Sequence, residues 1–272
     1  PGDAYALQVG SAIKAPQENL PKARAAAERA LQLDADSPEA HATLAHILWL
    51  SWEWEGAENE FRRALELSPN SAKSRSRYSI YLSSMGRHDE AIAEANRAVE
   101  LDPTSFTISQ GVERAFYFAR RYDDALAASD KTLELSPNAL SINSWREMAF
   151  EQKGMRDEAL ETRFRVLALR KLPPELIEDL RKTYREAGWR AFWQKEIDRK
   201  KKQAAESRLY VLPYNFARDY ARLGDREQAL AWLEKCADER SDHLTLVMVD
   251  PIFDPLRDDP RFAALLKRIG MN

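Results

Sequence analysis

The stretch AENEFRRALEL, Ala57–Leu67, is one of five versions of a single pattern along the chain. ARAAAERALQL fills Ala23–Leu33, AIAEANRAVEL fills Ala91–Leu101, ALAASDKTLEL fills Ala125–Leu135 and ALETRFRVLAL fills Ala159–Leu169. The opening alanines stand at 23, 57, 91, 125 and 159, and the closing leucines keep the same 34-residue step. A fixed period between about 20 and 50 residues means stacked repeats, each burying its apolar face against its neighbours.

Each period holds two helical segments. The first, as in PEAHATLAHILWL, places Leu44, Ile47 and Leu48 at helical spacing; the second is the alanine-rich stretch. Small residues (Ala45, Ala57, Ala64) alternate with large ones (Leu44, Leu48, Phe61), the pattern by which a helix pair reaches native packing density. The breaks keep the register too. Pro69, Pro103 and Pro137 follow the second segments, and proline cannot continue a preceding helix. Acidic pairs such as Asp89-Glu90 and Asp123-Asp124 open the second helices, where they favour the positive end of the helix dipole. Gly86, Gly154 and Gly224 mark the turns between paired helices, and Pro21 marks a helix start.

The period slips after Ala159. The next good motif alanine, Ala229, is 70 residues on, two periods plus two. The unit between, residues 174–207, keeps Leu180, Tyr184 and Gly188 but places Trp193 at the motif-alanine position, which predicts a splayed helix pair. Its run Arg199-Lys200-Lys201-Lys202 reads as a solvated helix end, and Cys236, in the next unit, as a buried small residue. The tail carries Asp250-Pro251, Asp254-Pro255 and Asp259-Pro260 as turn or helix starts. A last apolar face follows at Phe262, Leu265, Leu266 and Ile269, suited to covering the end of an array.

These residues resemble the tetratricopeptide repeat family, whose 34-residue helix–turn–helix prefers the types found here at Leu44, Ala45, Leu48, Ala57, Phe61, Ala64 and Pro69. The next copy keeps Tyr78, Leu82, Gly86, Ala91, Ala98 and Pro103. Glu113 in the third unit, and Arg146 and Glu147 in the fourth, depart from the pattern. The resemblance implies an all-α, right-handed superhelical solenoid of about six helix–turn–helix hairpins with a C-terminal capping helix. The expected division is a regular array over 1–171, a degenerate hairpin over 172–208, a further hairpin over 209–240 and a capping tail over 241–272. The tail resembles one found behind such arrays in large bacterial regulators with an N-terminal winged-helix, cyclase or serine/threonine kinase domain.

Composition narrows the function. The 272 residues are 44% hydrophobic and 31% charged, with 41 basic against 44 acidic side chains. A net charge of −3 is no nucleic-acid footprint. No apolar run is long enough to span a membrane, no signal peptide is evident, and a single cysteine leaves the compartment undetermined: a soluble domain, cytoplasmic or periplasmic if the full-length protein is membrane-tethered. A start at Pro1 implies a processed form or a piece of a longer chain. His41, His46, His88 and His243 form no metal-ligand motif, and no phosphate loop or nucleophile elbow is present, so the reading is non-enzymatic, without cofactor or metal.

In the family the first helix of each pair lines the concave face. The resemblance therefore places His46 and Trp49 from the first strong unit there, with Lys73 and Arg77 from the second. Gln110, Arg114 and Tyr117 follow from the third, and Ser144, Trp145 and Met148 from the fourth. Aromatics beside arginines are the composition of a recognition surface. The expected partner is a protein or peptide, an acidic or C-terminal segment with a large apolar side chain, bound by a docking module of a larger bacterial regulator. The alternatives are a small-molecule or short-peptide sensing domain and, with no supporting motif, a self-contained enzyme.

Overall fold

A computed structural model describes residues 16–207 and 212–271. The stretch AYALQVGSAIK and the expected 208/209 boundary lie outside these residues. All regular elements among the described residues are helical. A lone helix α1 (Pro16–Leu33) leads into four helix pairs: α2 (Pro38–Leu50) with α3 (Trp54–Leu67), α4 (Ala72–Ser84) with α5 (His88–Leu101), α6 (Phe106–Phe118) with α7 (Tyr122–Leu135), and α8 (Leu140–Gln152) with α9 (Arg156–Leu169). A long element α10 (Pro174–Ser207) bends at Gly188, and α11 (Pro213–Leu223) pairs with α12 (Arg226–Asp238). Two 3₁₀ turns, Asp242–Leu246 and Pro251–Leu256, precede the last helix α13 (Pro260–Arg268). No helix among the described residues is long and apolar enough to cross a membrane. Pro21 sits inside α1 as its sixth residue, not at its start, so it removes one i→i−4 hydrogen bond of the helix.

Local chemistry sets the boundaries. Ser37 and Ser71 accept hydrogen bonds from the N–H groups of Ala40 and Ser74, capping α2 and α4. The turn inside each hairpin keeps the 34-residue register in its backbone. Residues 52, 86, 120, 154 and 188 all have positive φ, between 63° and 75°. Glycine fills three of these places, but Trp52 and Arg120 fill the other two, and a side chain there is strained. The motif alanines Ala57 and Ala91 have no exposed surface, and neither does Phe61.

Polarity rises along the array at one buried contact between paired helices. The equivalent pairs are Ala45 and Phe61, Ser79 and Ala95, Glu113 and Ser129, then Glu147 and Arg163. Each contact is buried or nearly so. Glu147 finds Arg163 at 3.6 Å. Glu113 makes no ion pair among the described residues, where only the more distant charge of Arg146 acts on it: neither oxygen has a hydrogen-bond partner there, and the hydroxyls of Ser129 and Thr132 donate to backbone carbonyls. Burial therefore pushes the Glu113 carboxyl up to about 7, against the smaller opposing pull of Thr132 and Ser129.

Trp193 occupies the motif-alanine place and is fully buried. Its ring is walled by the Arg222 guanidinium at 4.5 Å, that of Arg163 at 5.5 Å and the Lys200 ammonium at 6.0 Å, with Phe192 and Trp189 as neighbours. The basic run differs from expectation. The helix continues to Ser207; Lys200 pairs with Asp219 at 2.5 Å, Lys201 donates to the Tyr220 hydroxyl, and Lys202 remains solvent-exposed beside Glu206. The reason is helical phase: Trp193, Glu196, Ile197 and Lys200 fall on one face, which α11 covers.

The tail caps the last hairpin through α13, where Arg261 grips Glu227 with two 2.7 Å bonds and Arg268 meets Asp238. It also returns to the first half of the chain. Trp54 donates its indole N–H to the Ile269 carbonyl at 2.9 Å, Arg240 lies 5.7 Å over the Trp52 ring, and Val249 packs with Tyr117, Phe118 and Met148. The coil is thereby closed from its first units to its last.

Candidate functional site

The first helices place the predicted inner-face residues in two kinds of setting. His46 is half-buried with its ring 5.4 Å from Trp49, while Trp49 is buried and donates its indole N–H to Ser84 Oγ at 3.0 Å. On α4, Lys73 is exposed and Arg77 half-buried, one helical turn apart. Gln110 is half-buried on α6. Arg114, Tyr117, Trp145 and Met148 come together. The Arg114 guanidinium lies 5.4 Å over the Trp145 ring, and the Tyr117 ring meets Trp145 at 5.4 Å. Tyr117 and Met148 are buried, the methionine sulfur receiving a hydrogen bond from Arg218.

Two polar groups in this cluster have no hydrogen-bond partner among the described residues, Arg114 Nε and the Tyr117 hydroxyl. Burial lowers Arg114 to about 10 and raises Tyr117 well above its ordinary value. Arg114 also lacks an acidic partner among the described residues, unlike most arginines of this chain.

A second feature adjoins the first. A cavity of about 360 Å³ opens between α8, α9, α10 and α11. Ser144, Glu147 and Met148 form its α8 wall; Arg163, Leu167, Arg170 and Leu172 come from α9 and the loop after it. Arg199, Lys200 and Gln203 contribute from α10, and Asn215, Arg218, Asp219 and Arg222 from α11. Of these only Ser144 and Met148 belong to the inner-face residues read from sequence. The basic members escaped because they come from α9, the loop after it, α10 and α11, none of them a first helix of the regular array. Helical phase could have marked Lys200, three residues after Ile197 and seven after Trp193.

Ion pairs organise the cavity walls. Glu196 accepts from Arg163 at 2.7 Å and Arg199 at 2.6 Å; burial acts against its ionisation, yet Arg163, Arg199 and Lys200 hold its carboxyl down to about 2. Arg222 holds Glu151 at 2.8 Å and Asp219 at 3.4 Å.

The tetratricopeptide repeat profile matches residues 72–105, the unit of α4 and α5. No match to curated proteins emerges from sequence comparison. Among solved structures, PilF of Pseudomonas aeruginosa is 17% identical, with 91% of this chain and 95% of that one covered at a TM-score of 0.49. A MamA structure is 19% identical over 57% of this chain and 91% of that one at 0.48. YrrB, described as a TPR protein with an unusual peptide-binding site, is 19% identical over 82% and 96% at 0.44. These superpositions are loose, so the assignment rests on the profile match and on the 34-residue register of sequence and turn backbone. By both, the chain is a tetratricopeptide-repeat solenoid.

Proposed function

We propose that this chain is a non-enzymatic protein-interaction module, the docking part of a larger bacterial regulatory protein, that takes a peptide along its inner face. Proteins built from this repeat generally serve as interaction modules. The reading is carried by Arg114, a cation without an acidic partner among the described residues, stacked on Trp145. A planar guanidinium beside an aromatic ring can accept a carboxylate in its plane while the ring covers an apolar side chain. His46, Lys73, Arg77 and Gln110 extend the polar row, and Trp49, Tyr117 and Met148 form its buried support. The partner is an acidic or C-terminal segment carrying one large apolar side chain. Membership of a larger regulator is supported by the resemblance of the tail.

The test is a displayed peptide library selected on the immobilised protein, followed by titration of a selected peptide. Selected peptides should combine a carboxylate with a large apolar residue, bind more weakly as salt rises, and lose affinity for Arg77→Ala/Arg114→Ala. Equal affinity for both proteins without salt dependence removes the inner face as the site. A second reading, a small-ligand sensing domain, is favoured by the cavity between α8 and α11.

A further inference from the structure

Six cationic side chains line the cavity between α8, α9, α10 and α11: Arg163, Arg170, Arg199, Lys200, Arg218 and Arg222. Five carboxylates answer them. Glu196 serves Arg163 and Arg199, and Glu147 lies 3.6 Å from Arg163. Asp219 serves Lys200 and Arg222, Glu151 serves Arg222, and Asp250 lies 3.5 Å from Arg218. Six against five leaves one positive charge over, and its place is identifiable. Arg170, exposed at the mouth, has no ion-pair partner among the described residues; desolvation and the charge of Arg163 disfavour its cation, and the more distant charges of Glu147 and Glu196 offset this only in part. Within the same walls, Nε of Arg163 has no hydrogen-bond partner among the described residues, and Nε of Arg218 has only the 3.5 Å ion-pair contact with Asp250.

A cluster of buried charges is stable only when its charges are answered and its donors used. Nothing in the packing of the repeats requires so many arginines here; the equivalent contact in the first unit is Ala45 against Phe61. The remaining walls are apolar at Met148, Leu167 and Leu172. The volume lies at the small end of the range for organic ligands, about 300–1,000 Å³.

We propose that this cavity binds a small organic acid, its single carboxylate held at Arg170 and its short apolar body lying against Met148, Leu167 and Leu172. One carboxylate matches the one-charge excess. A phosphate monoester, carrying up to about two negative charges, would over-neutralise it. The site adjoins the Arg114–Trp145 surface and shares Met148 with it, but its carboxylate is held at Arg170, and the proposal does not depend on peptide binding there.

The experiment is isothermal titration of the whole chain with acetate, hexanoate, benzoate and N-acetyl-leucine. Hexanamide serves as the neutral control and inorganic phosphate and hexyl phosphate as doubly charged controls. Hexanoate or a larger carboxylate should bind and raise the unfolding temperature, hexanamide should not, and the phosphates should bind more weakly. Arg170→Gln, a change at the exposed mouth, should leave the ligand-free unfolding temperature in place and weaken carboxylate binding about tenfold or more, with Arg170→Lys intermediate. Arg77→Ala/Arg114→Ala should bind the carboxylates as the parent does, which separates this site from the peptide face. Four results overturn the proposal: no carboxylate binds at tens of millimolar, hexanamide binds as well as hexanoate, a phosphate binds more tightly than every carboxylate, or Arg170→Gln binds unchanged.

Discussion

Arg120 grips Asp254 through both terminal guanidinium nitrogens, at 2.6 and 2.8 Å, across 134 residues of chain. It does so from a left-handed backbone position where its repeat equivalents 86, 154 and 188 are glycine. Trp52, the other side chain tolerated at that register, lies under Arg240. The two turns that forgo glycine are thus two that hold the returning tail.

This relationship separates two variants of one residue. Arg120→Ala keeps the strained φ and loses the ion pair, whose partners are both partly exposed, so stability should fall by about 1 kcal/mol or less. Arg120→Gly loses the same pair but relieves a non-glycine left-handed conformation, a gain of roughly 1 kcal/mol. Urea unfolding should rank glycine above alanine at this position. The reverse order would mean that the turn strain is negligible.

Ala57 has no exposed surface at the contact of α2 with α3. Ala57→Leu should overpack that contact and lower stability by roughly 1–3 kcal/mol. Ala91→Leu should behave alike one repeat later. Unchanged thermal unfolding in both would mean that the helix register is misplaced.

Glu113 gives the fold a pH dependence of definite sign. Its folded pKa, about 7, stands above the ordinary carboxylate value, so the folded state holds the proton more tightly than the unfolded chain does. The associated stability is fully present below about pH 4 and is lost as pH rises through about 7, at most roughly 3 kcal/mol in all. Glu113→Gln should keep the packing and remove this fall. Unfolding free energies measured across that window for both proteins decide it; parallel curves would show that Glu113 does not titrate there.

Cys236 is fully buried, and burial raises its thiol far above the range in which thiolate forms at neutral pH. Iodoacetamide should leave it unmodified in the native protein and alkylate it in denaturant. Rapid native labelling would show that α12 opens locally.

Much of the solenoid could be read from the sequence because a repeat states its neighbour contacts again and again. Ala57, Ala91, Ala125 and Ala159 announce one packing rule, and the structure buries all four. Glu113 and Glu147 stood out as departures, but only the structure shows that Arg163 answers the second while no ion pair or hydrogen bond among the described residues answers the first. The return of the tail left no periodic trace, since the contacts of Asp254 with Arg120 and of Ile269 with Trp54 occur once each. The cavity was hidden for a related reason. Its arginines are scattered over three helices and a loop, and a run such as Arg199–Lys202 looks solvated until α11 is seen to cover one side of it.

The bond from Trp54 to the Ile269 carbonyl joins residues 215 positions apart. An open stack of repeats can form and fray unit by unit, each unit depending only on its neighbours. Here the first hairpin acquires its last partner only when the far end of the chain arrives, and loop closure over that separation slows the final step. During synthesis the early hairpins must wait, with Trp52 and Trp54 uncovered, until the tail emerges. Afterwards they share its fate: loosening α13 exposes the beginning of the coil as well as its end, and unfolding should proceed from both in a single cooperative step.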